Sequence, residues 1–395
     1  MKNKMKIMGI ALMLMLASAL TTLAQSDFVP PLSGAALSQW QVQGEYYGTV
    51  SPNVNLGAWL IANGNDVYTV VFLPGGLLTL PGSSYGGWDQ TGWTRNSFSG
   101  SATLTGTEFK VNTSSNYKAI TITGTGEAHV MSGTTPAGAA FTLNRVVRNS
   151  PTHNLKPQAA WGAVKLLFDS ATGQADLAKW TNKDNQVQLS RKFLYRGIQT
   201  NESFGAGLYH VEFQGCFNPT ASGQGRSNSG VYIQSHYETQ VLDSFGNAGA
   251  IDEYGAVYSV KPPSVNAALP PLTWHTYDIY FTPRTSGNAG DATGAAVMTV
   301  YANGVLVQDA TPVTNVTTAG VSGNLLVPAP IYLQNHGNEV VFNNIWFIPN
   351  ATMATLPYDK VLSGTVGIRK NSAQPKFQFG WTWKTNLNGR SLKGK

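Results

Sequence analysis

The chain has 395 residues, of which 42% are hydrophobic and only 12% charged, and its formal net charge is +6. This balance argues against nucleic acid as a partner, because no basic run with interleaved aromatic residues accompanies the small positive charge. A single cysteine, Cys216, excludes an internal disulfide.

The first residues predict export. Lys2, Lys4 and Lys6 precede an apolar run at positions 7–20, and small residues close this run near Ala24. This is the layout of a secretory signal peptide at residues 1–24, with either a periplasmic or a fully secreted mature chain. The run is too short for a membrane anchor, and no later stretch has the roughly 18 continuous apolar residues of a transmembrane helix.

The mature chain reads as β structure throughout. Residues 26–150 predict a β-rich extension, in which apolar runs such as Gly57–Ile61 and Val67–Phe72 are separated by glycine and proline turns. A linker-like stretch follows, and residues 160–350 predict a second β domain. Residues 351–395 form a C-terminal tail of mixed polarity. Many short strands without helical periodicity are typical of a sandwich or a barrel.

Four segments of the second domain alternate between apolar and polar residues, so that successive side chains face opposite ways. These segments are Tyr209–Gln214, Val231–Gln234, Tyr237–Val241 and Ile331–His336. Their polar positions carry amides, tyrosines, glutamates and histidines rather than lysine and serine. Amides hydrogen bond to sugar hydroxyls and aromatic rings stack on sugar rings, so the pattern favours a carbohydrate-binding face. An ordinary solvated face is the alternative.

The glycine-rich stretch Gly223–Gly230 leads into the second of these segments. Arg226 and Asn228 in this stretch could reach over the polar face, although the pattern alone favours a simple turn. The stretch lacks the spacing of a phosphate-binding loop, and the chain has no Gly-x-Ser-x-Gly or His-Glu-x-x-His motif. Serine-hydrolase chemistry and thiolate-metal chemistry therefore have no support.

The motif Asn228–Gln234, followed by Tyr237–Asp243, resembles the core of the 3-keto-disaccharide hydrolase family. Further matches follow the family's order: Leu167–Asp169 with Trp180, Gly255–Tyr258, Trp274–Ile279, Asn303–Val307, Ile331–Gly337 and Phe342–Trp346. Residues 44–148 are similar to an extension that some members carry. One departure is visible, since many members have Asp where this chain has Asn335. If that Asp ligates a metal or orients His336, the role is weakened here.

The resemblance implies a concanavalin A-like jelly-roll sandwich and activity on glycosides whose sugar carries a ketone at C3. The ketone acidifies the proton on C2. Removal of that proton gives an enolate, the glycosidic oxygen leaves C1, and water adds, so that the net reaction is hydrolysis. Such a site needs a general base, donors for the enolate oxygen and an acid for the leaving group. The cofactor stays open, with a divalent metal ion as one option.

The resemblance and the alternation together suggest roles for individual residues. Glu238 is the candidate base, and His336 is the candidate acid or metal ligand. Asp243 has the opposite parity from Glu238 and is expected to be structural. The candidate substrate-binding residues are Arg226, Asn228, Tyr232, Gln234, Gln240, Gln334 and Glu212.

Two other functions compete with cleavage of 3-keto sugars. A conventional glycoside hydrolase would need two carboxylates about 5–9.5 Å apart, for which Glu238 and Glu212 are the available pair. A non-catalytic glycan-binding module would use the same scaffold, since a fold does not determine a function. In each case the partner is a carbohydrate.

Overall fold

The structure is a computed structural model that describes residues 32–50, 53–65, 67–88, 94–97, 108–111, 117–157, 161–167, 179–182 and 197–362. The predicted signal peptide at residues 1–24 and most of the predicted tail, from residue 363 onward, lie outside the described residues. Among the described residues, no helix has the length and apolar character needed to cross a membrane.

Within the described residues, the N-terminal part contains one helix and one antiparallel sheet of eight strands. Its elements are α1 (Gly34–Val42), β1 (Gly44–Val50), β2 (Val54–Ala62), β3 (Tyr68–Pro74), β4 (Thr94–Ser97), β5 (Glu108–Val111), β6 (Lys118–Thr125), β7 (Ala128–Thr134) and β8 (Ala140–Val146). The strand order is β4-β3-β2-β1-β8-β7-β6-β5. Consecutive strands pair within β1 to β4 and within β5 to β8, the pairing of β1 with β8 joins these two halves, and β4 and β5 lie at opposite edges of the sheet.

The second part contains two antiparallel sheets. Its elements are β9 (Val164–Leu167), β10 (Trp180–Asn182), β11 (Ile198–Thr200), β12 (Gly207–Gly215), β13 (Ser229–Ile233), β14 (Tyr237–Val241), β15 (Trp274–Thr282), β16 (Ala296–Ala302), β17 (Val305–Val313), β18 (Tyr332–Leu333), β19 (Val340–Pro349) and the short helix α2 (Tyr358–Leu362). The five-stranded sheet has the order β10-β11-β18-β13-β14, and the six-stranded sheet has the order β17-β16-β15-β12-β19-β9.

The two sheets pack through the apolar side of each alternating strand. Val211 and Ile279 of the six-stranded sheet belong to the same buried cluster as Val231 and Leu333 of the five-stranded sheet. Burial of each such side chain stabilises the fold by about 1.5–3 kcal/mol. The predicted all-β sandwich, preceded by a β-rich extension, is therefore confirmed.

The N-terminal sheet packs against the sandwich. The Trp59 ring on β2 lies 5.5 Å from the Trp88 ring and 5.8 Å from the ring of Phe245 in the sandwich. Gly246 follows with φ +80°, and a Cβ there would lie 2.4 Å from Ile61 Cδ1. A side chain at position 246 would therefore displace the Ile61 side chain, so the glycine allows the two parts to pack closely here. The N-terminal sheet and the sandwich contribute side chains to one hydrophobic cluster. The predicted domain boundaries stay predictions.

Candidate active site

The outer face of the five-stranded sheet carries a buried carboxylic acid. Glu238 lies on β14 directly opposite Tyr232 on β13, and its side chain points away from the core that holds Tyr237 and Val241. Only 2% of its surface is exposed. A Cβ at Gly230 would lie 2.1 Å from Glu238 Oε1, so the glycine in the Asn228–Gln234 motif leaves room for this carboxyl group.

Two side chains, Tyr232 and Gln334, lie next to the carboxyl group. The Tyr232 hydroxyl shares its single proton between Glu238 and the Thr318 carbonyl, which lies at 3.0 Å. Gln334 Nε2 donates to that same hydroxyl at 3.2 Å. Glu238, Tyr232 and Gln334 therefore meet, as alternation predicted.

The environment changes the acidity of Glu238. Burial disfavours the charged carboxylate and raises its pKa to about 8, although the hydrogen bond from Tyr232 acts in the opposite direction. A carboxyl group with a pKa near neutrality can both lose and regain a proton under mild conditions, which is the property of a general acid–base catalyst.

A chain of amides lies beside the carboxyl group on the same face. Gln240 is two residues from Glu238 on β14, and its Nε2 donates to Gln224 Oε1 at 2.9 Å and to the Asp252 carbonyl at 3.3 Å. Asn228 Nδ2 donates to Gln224 Oε1 at 2.8 Å. The structure thus brings Gln240 and Asn228 together through Gln224 and Asp252, which sequence reasoning missed because neither lies on an alternating strand.

The cluster becomes less buried toward β18 and the 250s loop. Gln334 and Tyr258 are half-buried, while His336 is exposed. The Tyr258 backbone N–H donates to the Glu238 carbonyl at 3.2 Å, so this tyrosine also borders the site. Because β18 ends at Leu333, His336 belongs to the following loop, where alternation no longer determines its direction. In that loop Asn335 Oδ1 accepts from the Gly337 N–H at 2.8 Å.

Gln234 does not share the face of Tyr232, contrary to prediction. It lies in the turn between β13 and β14 with φ +53°, because β13 ends at Ile233. Its Nε2 donates to the Phe204 carbonyl at 3.3 Å, and the residue is fully buried. The turn reverses the chain one residue earlier than the alternation pattern assumed.

Arg226 does not line the rim of the face, which corrects a second prediction. Its Nη2 and Nε lie 2.7 and 3.1 Å from Asp243 Oδ2. Its Nη1 donates to the carbonyl of Ala62 on β2 at 3.4 Å. This buried ion pair ties the sandwich to the N-terminal sheet and agrees with a structural role for Asp243.

Glu212 lies on the other sheet, so it does not pair with Glu238. On the outer face of β12 its Oε1 accepts from Asn344 Nδ2 at 2.7 Å and from the Asn154 N–H at 2.5 Å. His210 Nε2 lies 3.2 Å from the same oxygen, and His210 Nδ1 lies 2.6 Å from Asp278 Oδ1. His210, Glu212 and Asp278 are fully buried, and Asn154 belongs to the segment that links the two parts of the chain.

This second cluster has its own electrostatics. Burial alone would lower the pKa of His210, but the charges and hydrogen bonds of Asp278 and Glu212 raise it to about 9. The Tyr358 hydroxyl donates to Asp278 Oδ2 at 2.6 Å, which attaches α2 to the sheet. The cluster therefore holds the linker and α2 in place.

Among the described residues, no group of three or more histidine, cysteine, aspartate or glutamate side chains could hold a metal ion.

Glu238, the buried acid, lies in the motif Asn228–Gln234 and Tyr237–Asp243 that resembles a known family. Residues 162–348 match the 3-keto-alpha-glucoside-1,2-lyase-like domain. The resemblance predicted from the sequence is therefore confirmed for the sandwich. The match covers both of its sheets, and the domain's description supports a carbohydrate-active, glycosidase-type function for this part of the chain.

Two solved structures are similar to part of this chain. A crystal structure of a candidate glycosyl hydrolase from Parabacteroides distasonis is 28% identical and has a TM-score of 0.41, with 47% of this chain and 83% of that chain covered. A second such structure from the same organism is 13% identical with a TM-score of 0.26, and covers 51% of this chain and 97% of that one. No curated protein matches this chain significantly.

Proposed function

We propose that the sandwich cleaves 3-keto-glycosides and that Glu238 is its general base. The observation that carries the proposal is the position of Glu238 within the matched domain, buried on the outer face and hydrogen bonded to Tyr232. Perturbed carboxyl groups of this kind are concentrated at functional sites. The description of the matched domain supplies the substrate class.

The first step is the transfer of a proton from carbon to the protein. The Glu238 carboxylate takes the proton from C2 of the sugar, and the electrons of the C–H bond form a C2–C3 double bond while the C3 oxygen becomes negative. Gln334 Nε2 donates one N–H to the Tyr232 hydroxyl, and its second N–H is the donor proposed to bind this oxygen. Donors aimed at a developing oxyanion contribute about 2.7–4 kcal/mol each.

The second step breaks the glycosidic bond. The enolate re-forms the C3 ketone, a C1–C2 double bond forms, and the glycosidic oxygen leaves C1 with a proton. His336, exposed two residues after Gln334, is the proposed acid. Addition of water returns OH to C1 and a proton to C2, so that lyase and hydrolase outcomes differ only in this last addition.

The proposal is tested with a glycoside and its 3-keto derivative. We expect release of the aglycone from the ketone and not from the unoxidised glycoside, with the loss of this release in Glu238→Gln. Cleavage of both compounds would instead indicate a conventional glycoside hydrolase. Binding of the sugars without any cleavage would indicate a glycan-binding module.

We further propose that the chain acts outside the cytoplasm. The support for this is the leader-like segment at residues 1–24, which lies outside the described residues. Expression of the full-length chain in a bacterium with a cell envelope, followed by N-terminal sequencing of the extracytoplasmic fraction, tests it. A mature protein that begins just after Ala24 is expected, and an uncut chain confined to the cytoplasm would refute export.

A further inference from the structure

The amide of Gln240 has one atom that the surrounding protein does not satisfy. Within the part of the chain that the structure describes, Gln240 Oε1 has no hydrogen-bond partner, although the residue is only 1% exposed. A buried acceptor without a donor costs about 1–3 kcal/mol. A ligand that donates a hydrogen bond to this acceptor would remove the cost.

The orientation of this amide follows from its neighbours. Nε2 of Gln240 faces two acceptors, Gln224 Oε1 and the Asp252 carbonyl. A flipped amide would place an oxygen against both of them. Gln224 is oriented in turn, because its own Nε2 donates to the Asp252 carbonyl at 2.7 Å and to Asp252 Oδ2 at 3.3 Å. Oε1 of Gln240 must therefore be the amide atom that is left without a hydrogen-bond partner.

The free acceptor shares its face with the proposed base. Glu238 and Gln240 are alternate residues of β14, and Gly230 lies directly opposite Gln240. The Glu238 carboxyl group occupies the space above Gly230, so the two side chains are neighbours on this face. The groups that contact the Gln240 side chain are oxygen-rich: the Gln224 amide and the backbone of Asp252, whose carboxylate binds Gln224. This arrangement attracts a neutral donor and repels an anion.

We propose that Gln240 determines specificity by accepting a hydrogen bond from one hydroxyl group of a neutral sugar, and that Gln224 is the residue that positions it. This inference rests on the proposed function for the location of the sugar beside Glu238. It adds that the preferred substrates are neutral glycosides and that uronic acids and sugar phosphates are excluded. An acceptor with so little exposure is reached only by a ligand that enters the cluster.

The test combines protein variants with deoxy sugars and measures kcat/KM for each pair. The full chain, Gln240→Met and the control Gln214→Met are assayed with a 3-keto-glucoside and its 2-deoxy, 4-deoxy and 6-deoxy forms. Gln214 is a suitable control because its Nε2 also donates to a backbone carbonyl, that of Leu272 at 2.8 Å, but from the six-stranded sheet. For one deoxy sugar, we expect the wild type and Gln214→Met to lose about 3- to 10-fold in kcat/KM, chiefly through KM. Gln240→Met should no longer distinguish that sugar from the parent compound.

The same cycle is measured as binding of the unoxidised sugars by calorimetry, so that it does not depend on turnover. If the wild type binds one deoxy sugar more weakly than the parent sugar, Gln240→Met does not distinguish the two, and no sugar is cleaved, the inference stands and the proposed function is refuted. Cleavage with equal discrimination in wild type and Gln240→Met would overturn the inference and leave the function in place. If Gln240→Met does not fold, wild-type binding of a glucoside against the matching glucuronide decides the question, and stronger binding of the glucuronide refutes the proposal.

Discussion

The Tyr232 hydroxyl hydrogen bonds to the carboxyl group of Glu238, its cross-strand neighbour. Burial raises the pKa of this carboxyl group and the hydrogen bond partly offsets the increase, which leaves the pKa at about 8. Residues directly opposite one another in an antiparallel pair have side chains close enough to interact. The chemistry proposed for this face depends on that pair, because the tyrosine determines how readily the buried carboxyl group releases its proton.

Substitution of Glu238 by Gln is expected to lower kcat/KM on a 3-keto-glucoside by about 10²–10⁴-fold, the usual contribution of a positioned general base. Gln is close in size to the protonated carboxyl group, so the fold should persist. Steady-state kinetics with circular dichroism as a control for folding measures both effects. Turnover at the wild-type rate would remove Glu238 from the mechanism.

The pH dependence of cleavage should report the same carboxyl group. Since the carboxylate is the active form, kcat/KM is expected to rise with pH through a midpoint near 8. In Tyr232→Phe the hydrogen bond that lowers the pKa is lost, so the midpoint should move to higher pH. A profile whose midpoint is the same in both proteins would contradict the assigned coupling.

Glu238 should also make the stability of the fold depend on pH. Whereas kcat/KM rises with pH, the free energy of unfolding should fall. The pKa of Glu238 rises from 4.5 to about 8 on folding, so the folded chain binds more protons than the unfolded chain between these values. Its contribution to the free energy of unfolding is present below pH 4.5 and is lost as the pH rises through about 8. Urea titrations from pH 5 to 9 should therefore show a smaller decline in Glu238→Gln than in the wild type.

His210 must be separated from that effect, because its raised pKa of about 9 gives a loss of stability in the same direction between pH 6.5 and 9. Both the wild type and Glu238→Gln retain His210, so the difference between their curves isolates Glu238. Identical slopes in the two proteins would show that the carboxyl group is not protonated in the fold.

Glu212 provides a matched comparison for Glu238, since both are buried glutamates of the same sandwich. Glu212→Gln should weaken the bonds to His210 and to the linker and lower the free energy of unfolding by about 1.5–3 kcal/mol, the usual value of hydrogen bonds to a charged group. Cleavage by the folded protein should remain. Loss of turnover without loss of stability would return Glu212 to the active site.

Arg226→Met is expected to destabilise the chain by about 3–5 kcal/mol, because Asp243 is left buried without its partner. Arg226→Met/Asp243→Asn should recover part of that loss. Denaturant unfolding of the three proteins measures the effect. Unchanged stability with weakened sugar binding would instead support the rim position predicted from the sequence.

Alternation predicted the neighbours of Glu238 that lie within the strands themselves. Tyr232 and Gln240 follow from a period of two within β13 and β14, since a strand's geometry determines the direction of each side chain. The all-β class and the motif of the matched domain are likewise local properties of the chain.

Only the tertiary structure decided which faces meet. Alternation predicts that Glu212 lies on a polar face, but it does not predict which sheet carries that face. In the structure Glu212 is on β12 of the six-stranded sheet and Glu238 is on β14 of the five-stranded sheet, so the two glutamates are separated. Gln234 and Arg226 were misplaced because a turn and a long-range ion pair control their directions. The site around Glu238 is completed by Gln224, Asp252 and Tyr258, which come from loops whose paths depend on packing and not on any periodic pattern.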